Sequence, residues 1–182
     1  MALAFGVVWL LLRDADSMRT VHLLTGYRAD DTDWMTVIRL PLSAFAPTQQ
    51  LPPWVDALQL FAALALGSAV LGWPVAALVG MTAHIVASIA IRALLELPTD
   101  VPGHLAPLQR SALDTGPSVV FVAVVVCALL VDDAVLCAVL FVLASAVVGA
   151  LTADLAGIEH AIGLVVGGLA AVAIRRHEIV RT

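Results

Sequence analysis

The sequence predicts an all-α, polytopic membrane protein with six membrane-spanning helices. Its residues are 62% hydrophobic and only 13% charged, whereas soluble domains are about half apolar and about a quarter charged. The mean hydropathy is +1.03, and the apolar residues form runs suited to helices across a bilayer core of about 30 Å. The expected spans, within one domain of residues 1–182, are residues 1–12, 57–73, 75–96, 115–131, 134–152 and 155–174.

The composition also limits the functions that we expect of the chain. Eleven Asp, three Glu and nine Arg, with no Lys, give a net charge of −5, and most of these residues lie between the apolar runs. The chain therefore has no basic patch for binding nucleic acid. Cys127 and Cys137 lie inside apolar runs without metal-ligand spacing, so we interpret them as small core residues and expect neither a metal nor a cofactor.

The first run, residues 1–12, is apolar but short. No small-residue cleavage site follows it, so a signal peptide is not indicated. We interpret the run as the end of a first membrane helix whose true beginning can lie upstream of Met1.

Residues 13–56 form the one long polar stretch of the chain. Within it the segment Trp34–Leu40 is amphipathic, and several prolines break up the remainder. Trp34 and Trp54 suit the headgroup level of a membrane. We therefore expect a long first loop that carries an interfacial helix, lying on or partly in the bilayer.

The later runs are joined by short connections, so consecutive helices are expected to be antiparallel neighbours. The breaks are the Gly72–Pro74 turn, the loop of residues 97–113 and the pair Asp132–Asp133. Three arginines follow the last run: Arg175, Arg176 and Arg181. The positive-inside rule assigns them to the cytoplasm, and an even number of spans places the amino terminus there too. The expected location is the cell membrane, multi-pass, with the first loop outside.

The third span carries a polar face. His84, Ser88, Arg92 and Glu96 recur every fourth residue, which places them on one side of a helix. Intramembrane polar groups are costly and by default point to a site. Two interpretations stay open: the face lines a catalytic or transport interior, or Arg92 and Glu96 pair near the outer interface while His84 bonds a neighbouring helix.

The stretch Asp114–Ser118 opens the fourth span. Asp114 or Thr115 suits an N-cap and Pro117 suits the first helical turn, which places Ser118 in that turn. Free backbone N–H groups and the positive helix end could hold an oxyanion there. The alternative is that these residues only begin a helix.

His160 occupies an equivalent place on the last span. Gly163 and Gly167 form a small-xxx-small pair that favours close helix contact. With one span between them, the helices of Ser118 and His160 run in the same direction, and both residues lie roughly 6–9 Å below their helix starts at about 1.5 Å per residue. A Ser–His dyad, the minimum for an activated serine, is therefore geometrically feasible. Three acidic residues could orient the imidazole: Asp114, Asp154 and Glu159.

These features resemble the rhomboid family of intramembrane serine proteases, and most closely its divergent bacterial rhomboid-like group. The resemblance covers roughly residues 30–175 and rests on six spans, the first loop, Gly116–Ser118 in place of Gly-x-Ser-Gly, and His160–Gly163 as His-x-x-Gly. It implies a six-helix rhomboid-like bundle with Ser118 as nucleophile and His160 as base. The residues expected to support them or the oxyanion are Gly116, Asp114, His84 and Glu159.

The chain also departs from the family pattern. Val119 stands where the second motif glycine belongs, and residues 53–60 lack the histidine and asparagine that open the family's second span. Three hypotheses remain: a protease cleaving membrane-protein substrates, a catalytically inactive rhomboid-like protein that binds membrane proteins or joins a membrane complex, and a small transporter lined by the His84 face. The expected partners are membrane-protein substrates or clients and the lipid bilayer, not nucleic acid; the sequence indicates no oligomeric state.

Overall fold

The computed structural model describes residues 15–28, 31–47, 52–98, 113–114, 116–152 and 155–181. The elements in chain order are α1 (Ala15–Thr25), β1 (Tyr27–Arg28), α2 (Asp33–Ser43), α3 (Pro53–Val70), α4 (Trp73–Glu96), β2 (Leu113–Asp114), α5 (Ser118–Val131), α6 (Val135–Thr152) and α7 (Leu155–Arg181). The predicted first span, residues 1–12, lies outside the described residues.

Three described helices are long and apolar enough to cross a membrane: Pro53–Val70, Trp73–Glu96 and Leu155–His177. Helices α5 and α6 are apolar but shorter by the same measure. The α-helical membrane character predicted from the sequence is thus supported. Helix α7 runs seven residues beyond its predicted end at residue 174, because no Gly or Pro follows to stop it.

Helix α5 is the centre of the bundle. It packs against α3, α4, α6 and α7, and nine of its 14 residues are buried. Its Val- and Ala-rich sequence is apolar on every side, as expected of a helix enclosed by others. Its 14 residues rise only about 21 Å, less than a bilayer core of about 30 Å, so one end of α5 lies inside the bundle.

Small residues bring α3 and α4 close to this central helix. A Cβ at Gly67 of α3 would overlap the Val124 side chain, and one at Gly80 of α4 would overlap that of Val120. Alanines fill much of the remaining interface. Such contacts let helix backbones approach closely, which is how helices associate where lipid is as apolar as the side chains.

The predicted small-xxx-small contact is confirmed between α7 and α5, the most extensive helix pair in the bundle. A Cβ at Gly163 would press on Val119, and one at Gly167 would overlap the backbone of Ala123. Since both contacts advance by four residues on each helix, α5 and α7 run parallel, as predicted.

Helix α6 attaches to the bundle through α5 and α7 and presents a long apolar face to the outside. Cys137 lies on that exposed face, whereas Cys127 of α5 is buried, and both are free thiols. The interpretation of Cys137 as a core residue is therefore wrong. Cys137 is exposed because it lies on the side of α6 that faces away from α5.

The connection between α5 and α6 is the predicted Asp132–Asp133 break. Asp133 adopts a positive φ of 59°, a conformation that Asp tolerates in turns. Arg175 of α7 donates to the Leu130 carbonyl at 2.8 Å and forms an ion pair with Asp133. The arginine therefore satisfies the carboxyl end of α5 and fastens α7 to it.

The opposite end of the bundle, called the upper end, carries α1, α2 and the strands. The strands form one antiparallel pair in which Tyr27 lies opposite Asp114 and Arg28 opposite Leu113. The all-α prediction missed this pair, because its partners are remote in sequence. Helix α1, predicted as loop, forms in a segment without Gly or Pro.

The helix predicted over residues 34–40 is present as α2, extended at both ends, and its interfacial position stays a prediction. Its apolar outer face includes Trp34, Val37 and Ile38, all exposed. The opposite face of α2 forms hydrogen bonds with α4 at two places along its length, which are described below.

We predict that Gly167→Ala destabilises the protein, because the added Cβ overlaps the backbone at Ala123. Overpacking of this kind costs about 1–3 kcal/mol. Gly168→Ala is the matched control, since a Cβ there meets nothing within 4 Å. Thermal unfolding in detergent should show a lower midpoint for Gly167→Ala only. Equal midpoints for the two variants would contradict the α5–α7 packing.

Candidate functional site

The buried polar side chains of the described residues all lie in the upper half of the bundle. They come from α2, α3, α4 and α7, and we call them the polar layer: Ser43, Asp56, His84, Ser88 and Glu159. Buried polar groups require partners, so their gathering in one layer is either a structural network or a site. Ser118 and His160, both half-buried, lie beside this layer.

Ser118 is the first residue of α5, as predicted for the first turn, but the predicted cap is wrong. The N-cap position belongs to Pro117, with no side-chain cap, and Asp114 belongs to β2. Gly116 has a φ of +119°, which only glycine adopts readily, and this turn separates the strand from the helix. The Asp114 side chain and Thr115 are outside the described parts of the chain.

Ser118 lies at about the depth of His84, well inside the bundle. Gly80 of α4 packs against Val120 of α5. His84 is one turn above Gly80 and Ser118 two residues above Val120, so both lie within about 6 Å above that contact. Helix α4 continues twelve residues further, to Glu96. The helix carrying Ser118 therefore begins far below the upper end of its neighbour.

His84 is bonded to α2. Its Nε2 lies 2.9 Å from Ser43 Oγ and 3.0 Å from the Leu40 carbonyl oxygen. The Ser43 hydroxyl donates to the same carbonyl at 2.9 Å. Because a carbonyl only accepts, the hydrogen bond to Leu40 requires that Nε2 carries the proton. Nε2 of His84 is thus a donor to α2.

The upper part of the same α4 face is occupied as well. Arg92 Nη1 donates to Thr36 Oγ1 at 2.9 Å, and its Nε lies 3.6 Å from Glu96 Oε1. The interpretation in which Arg92 pairs with Glu96 and His84 bonds a neighbouring helix is confirmed. Thr36 of α2 contacts Arg92, and Ser43, seven residues later in α2, contacts His84, which is eight residues earlier in α4. The two helices are therefore antiparallel.

His160 lies six residues into α7, close to its predicted depth. Gly163, one turn below it, packs against Val119, so His160 is level with Gly116 and about 3 Å above the level of Ser118. Ser118 was predicted to lie below the start of its helix, but it is the first residue of α5. Ser118 and His160 lie at similar levels because α5 itself begins deep in the bundle. Within the described residues no hydrogen bond joins Ser118 to His160. The dyad stays a prediction.

The sequence analysis missed three residues of this region. Ser43 was not singled out, although it follows Thr36 by seven residues and therefore shares its helix face. Asp56 was assigned to the first loop but is buried in the first turn of α3. Gln59 shares the face of Ala63 and Gly67 that packs on α5; its Oε1 is buried and has no hydrogen-bond partner among the described residues. The sequence signal for Asp56 and Gln59 was a single carboxylate and a single amide at the start of an apolar run.

Among the described residues, no group of three His, Cys, Asp or Glu side chains could hold a metal ion. Comparisons with known proteins give no counterpart: no protein-family model matches the chain, and no curated protein and no solved structure matches it. The functional argument therefore rests on the geometry of the polar layer and the helices that hold it.

We predict that a Val119→Cys/Gly163→Cys pair forms a disulfide on mild oxidation, in a background with Cys127 and Cys137 replaced by Ala. A Cβ at Gly163 lies 3.2 Å from a Val119 methyl, which is one bond beyond the Val119 Cβ, so the two Cβ atoms lie about 4–5 Å apart, near the separation in natural disulfides. A shift on a non-reducing gel of the chain carrying an engineered protease site between α5 and α7 measures it. The control pair, Val119→Cys with Ala161→Cys on the exposed side of α7, should not cross-link. Cross-linking of the control alone would contradict the register of α5 and α7.

Proposed function

We propose that the chain is a rhomboid-like intramembrane serine protease with the six-helix bundle that the resemblance implies. Ser118 is the nucleophile, His160 the general base, and the substrates are single-span membrane proteins cut near the outer surface. One observation carries the proposal: α5 is a short, enclosed helix whose first residue is a half-buried serine at the level of the polar layer. A helix that only spans the bilayer has no need to begin there.

The start of α5 supports the chemistry. The first hydrogen bond inside the helix runs from the Phe121 N–H to the Pro117 carbonyl at 2.8 Å. The N–H groups of the residues before Phe121 have no partner within the helix, and the helix dipole makes this end positive. A tetrahedral oxyanion formed by attack of Ser118 on a peptide carbonyl would be stabilised by such donors.

His160 supplies the proton transfer. Its helix is held against α5 by Gly163, which keeps the imidazole within one turn of the Ser118 level. In the proposed reaction the imidazole accepts the Ser118 proton during attack and returns it to the leaving amine. In this proposal buried Glu159, adjacent in sequence, orients the base, and the Gln59 amide on α3 orients the substrate carbonyl.

The expected orientation places this chemistry on the outer side of the membrane. The arginine tail of α7 assigns the lower end to the cytoplasm, which puts the polar layer nearer the upper, outer end. The exposed apolar face of α2 then lies in the outer leaflet. A substrate helix would meet the site from the membrane, with water reaching it from above.

A second candidate is a catalytically inactive rhomboid-like protein that binds membrane proteins. The observation in its favour is that His84 and Ser43 are engaged in hydrogen bonds between α2 and α4. The same bonds count against a transporter, because His84 and Arg92, which would line its path, are bonded to α2.

We predict that the purified protein reacts with a fluorophosphonate probe, which modifies activated serines. Ser118→Ala should abolish labelling, and His160→Ala should slow it by about 10²–10⁴-fold, the usual contribution of a general base. The controls are Ser68→Ala and His177→Ala, both at exposed positions outside the polar layer, which should label like the parent.

In-gel fluorescence, with size-exclusion chromatography to establish folding, measures the result. A folded parent without labelling would sink the protease and favour the inactive binding protein. Labelling that survives Ser118→Ala would assign the reactive serine elsewhere.

A further inference from the structure

We infer that Ser43 is a positioning residue for Ser118, acting by joining the Gly116 amide to His84. The description of Ser118 as the positioned nucleophile rests on the proposed function. The physical link itself, from α4 through α2 to the start of α5, rests on the hydrogen bonds of the described residues alone.

The first half of the link is the side chain of Ser43. It is fully buried at the carboxyl end of α2, and its hydroxyl lies between the Leu40 carbonyl and His84 Nε2. The carbonyls of a final helical turn have no partners within the helix. His84 supplies the donor for one of them, so it fixes the end of α2 against the middle of α4.

The second half is the backbone of Ser43. Its carbonyl oxygen accepts the N–H of Gly116 at 3.0 Å, together with that of Ala46 at 3.1 Å. Gly116 is held at a positive φ of 119°. The ring of Pro117 restricts the φ of Pro117 itself, which is −82°. Only these two residues separate the bonded amide from Ser118. The location of Ser118 therefore follows that of the Ser43 carbonyl.

The link is local. The contacts that build the bundle, at Gly67, Gly163 and Gly167, lie below it and involve neither Ser43 nor His84. Loosening the end of α2 would thus shift the Gly116–Ser118 turn while α5 stays enclosed. This separation makes a positioning role distinguishable from a general contribution to stability.

The experiment uses Ser118→Cys as a reporter in a background with both native cysteines replaced by Ala, and measures its rate of modification by a water-soluble maleimide. Ser43→Ala and His84→Leu should each raise the rate about fivefold, the equivalent of one net hydrogen bond. His84→Gln keeps a side-chain N–H donor and should restore part of the parent rate. Ser68→Ala and Thr82→Ala, at exposed positions on α3 and α4, should leave it unchanged.

A parallel set of variants retains the native Cys127 and Ser118. Because Cys127 is buried in α5, its rate of maleimide modification reports unfolding of the bundle. Its slow modification in Ser43→Ala would establish that the bundle is intact. In this set the fluorophosphonate labelling of Ser118 should fall in Ser43→Ala and be partly restored by His84→Gln relative to His84→Leu.

The outcomes separate the two proposals. If the parent is labelled but Ser43→Ala and His84→Leu leave the Ser118→Cys rate unchanged, positioning by Ser43 is wrong and the protease stands. If the rate rises as expected but the folded parent is not labelled, Ser43 positions residue 118 and the protease is wrong. A rise in the Cys127 rate equal to that of Ser118→Cys would overturn the inference by assigning Ser43 a general structural role.

Discussion

A chain that turns inside a helix bundle has backbone N–H and C=O groups that water reaches poorly, so the protein must provide their partners. This constraint organises the upper end of the bundle. Helix α5 is too short to span and begins at the level of His84. The carboxyl end of α2 descends to that level, where Ser43 accepts the Gly116 amide and His84 donates to Leu40. The strand pair holds the residues just before that turn.

The lower end follows a different rule, in which small residues replace polar bonds. The central helix presents valine and alanine on every side, and glycines of α3, α4 and α7 let these helices approach it closely. Arg175 adds one polar contact there, to the Leu130 carbonyl near the carboxyl end of α5. The bundle thus divides into a lower part joined by close contacts of small residues and an upper part that holds the polar layer.

The sequence predicted the features that depend on local pattern. Apolar runs located five described helices, and the small-xxx-small spacing of Gly163 and Gly167 identified the α7–α5 contact. It did not predict how deep in the bundle α5 begins, because that depth depends on the positive φ of Gly116 and on the pairing of residues 113–114 with residues 27–28. The Ser43–His84 bond joins residues 41 apart, a separation at which no periodicity carries information.

The position of α5 has a consequence for how the protein is made. Its most extensive partner is α7, which follows α5 in the chain and emerges after it during synthesis. Until α7 arrives, the side of α5 that meets Gly163 and Gly167 lacks its covering, and the short helix is held only by its earlier neighbours. Native assembly of the core therefore waits for α7, so truncation before this helix removes a required step of assembly rather than a peripheral element.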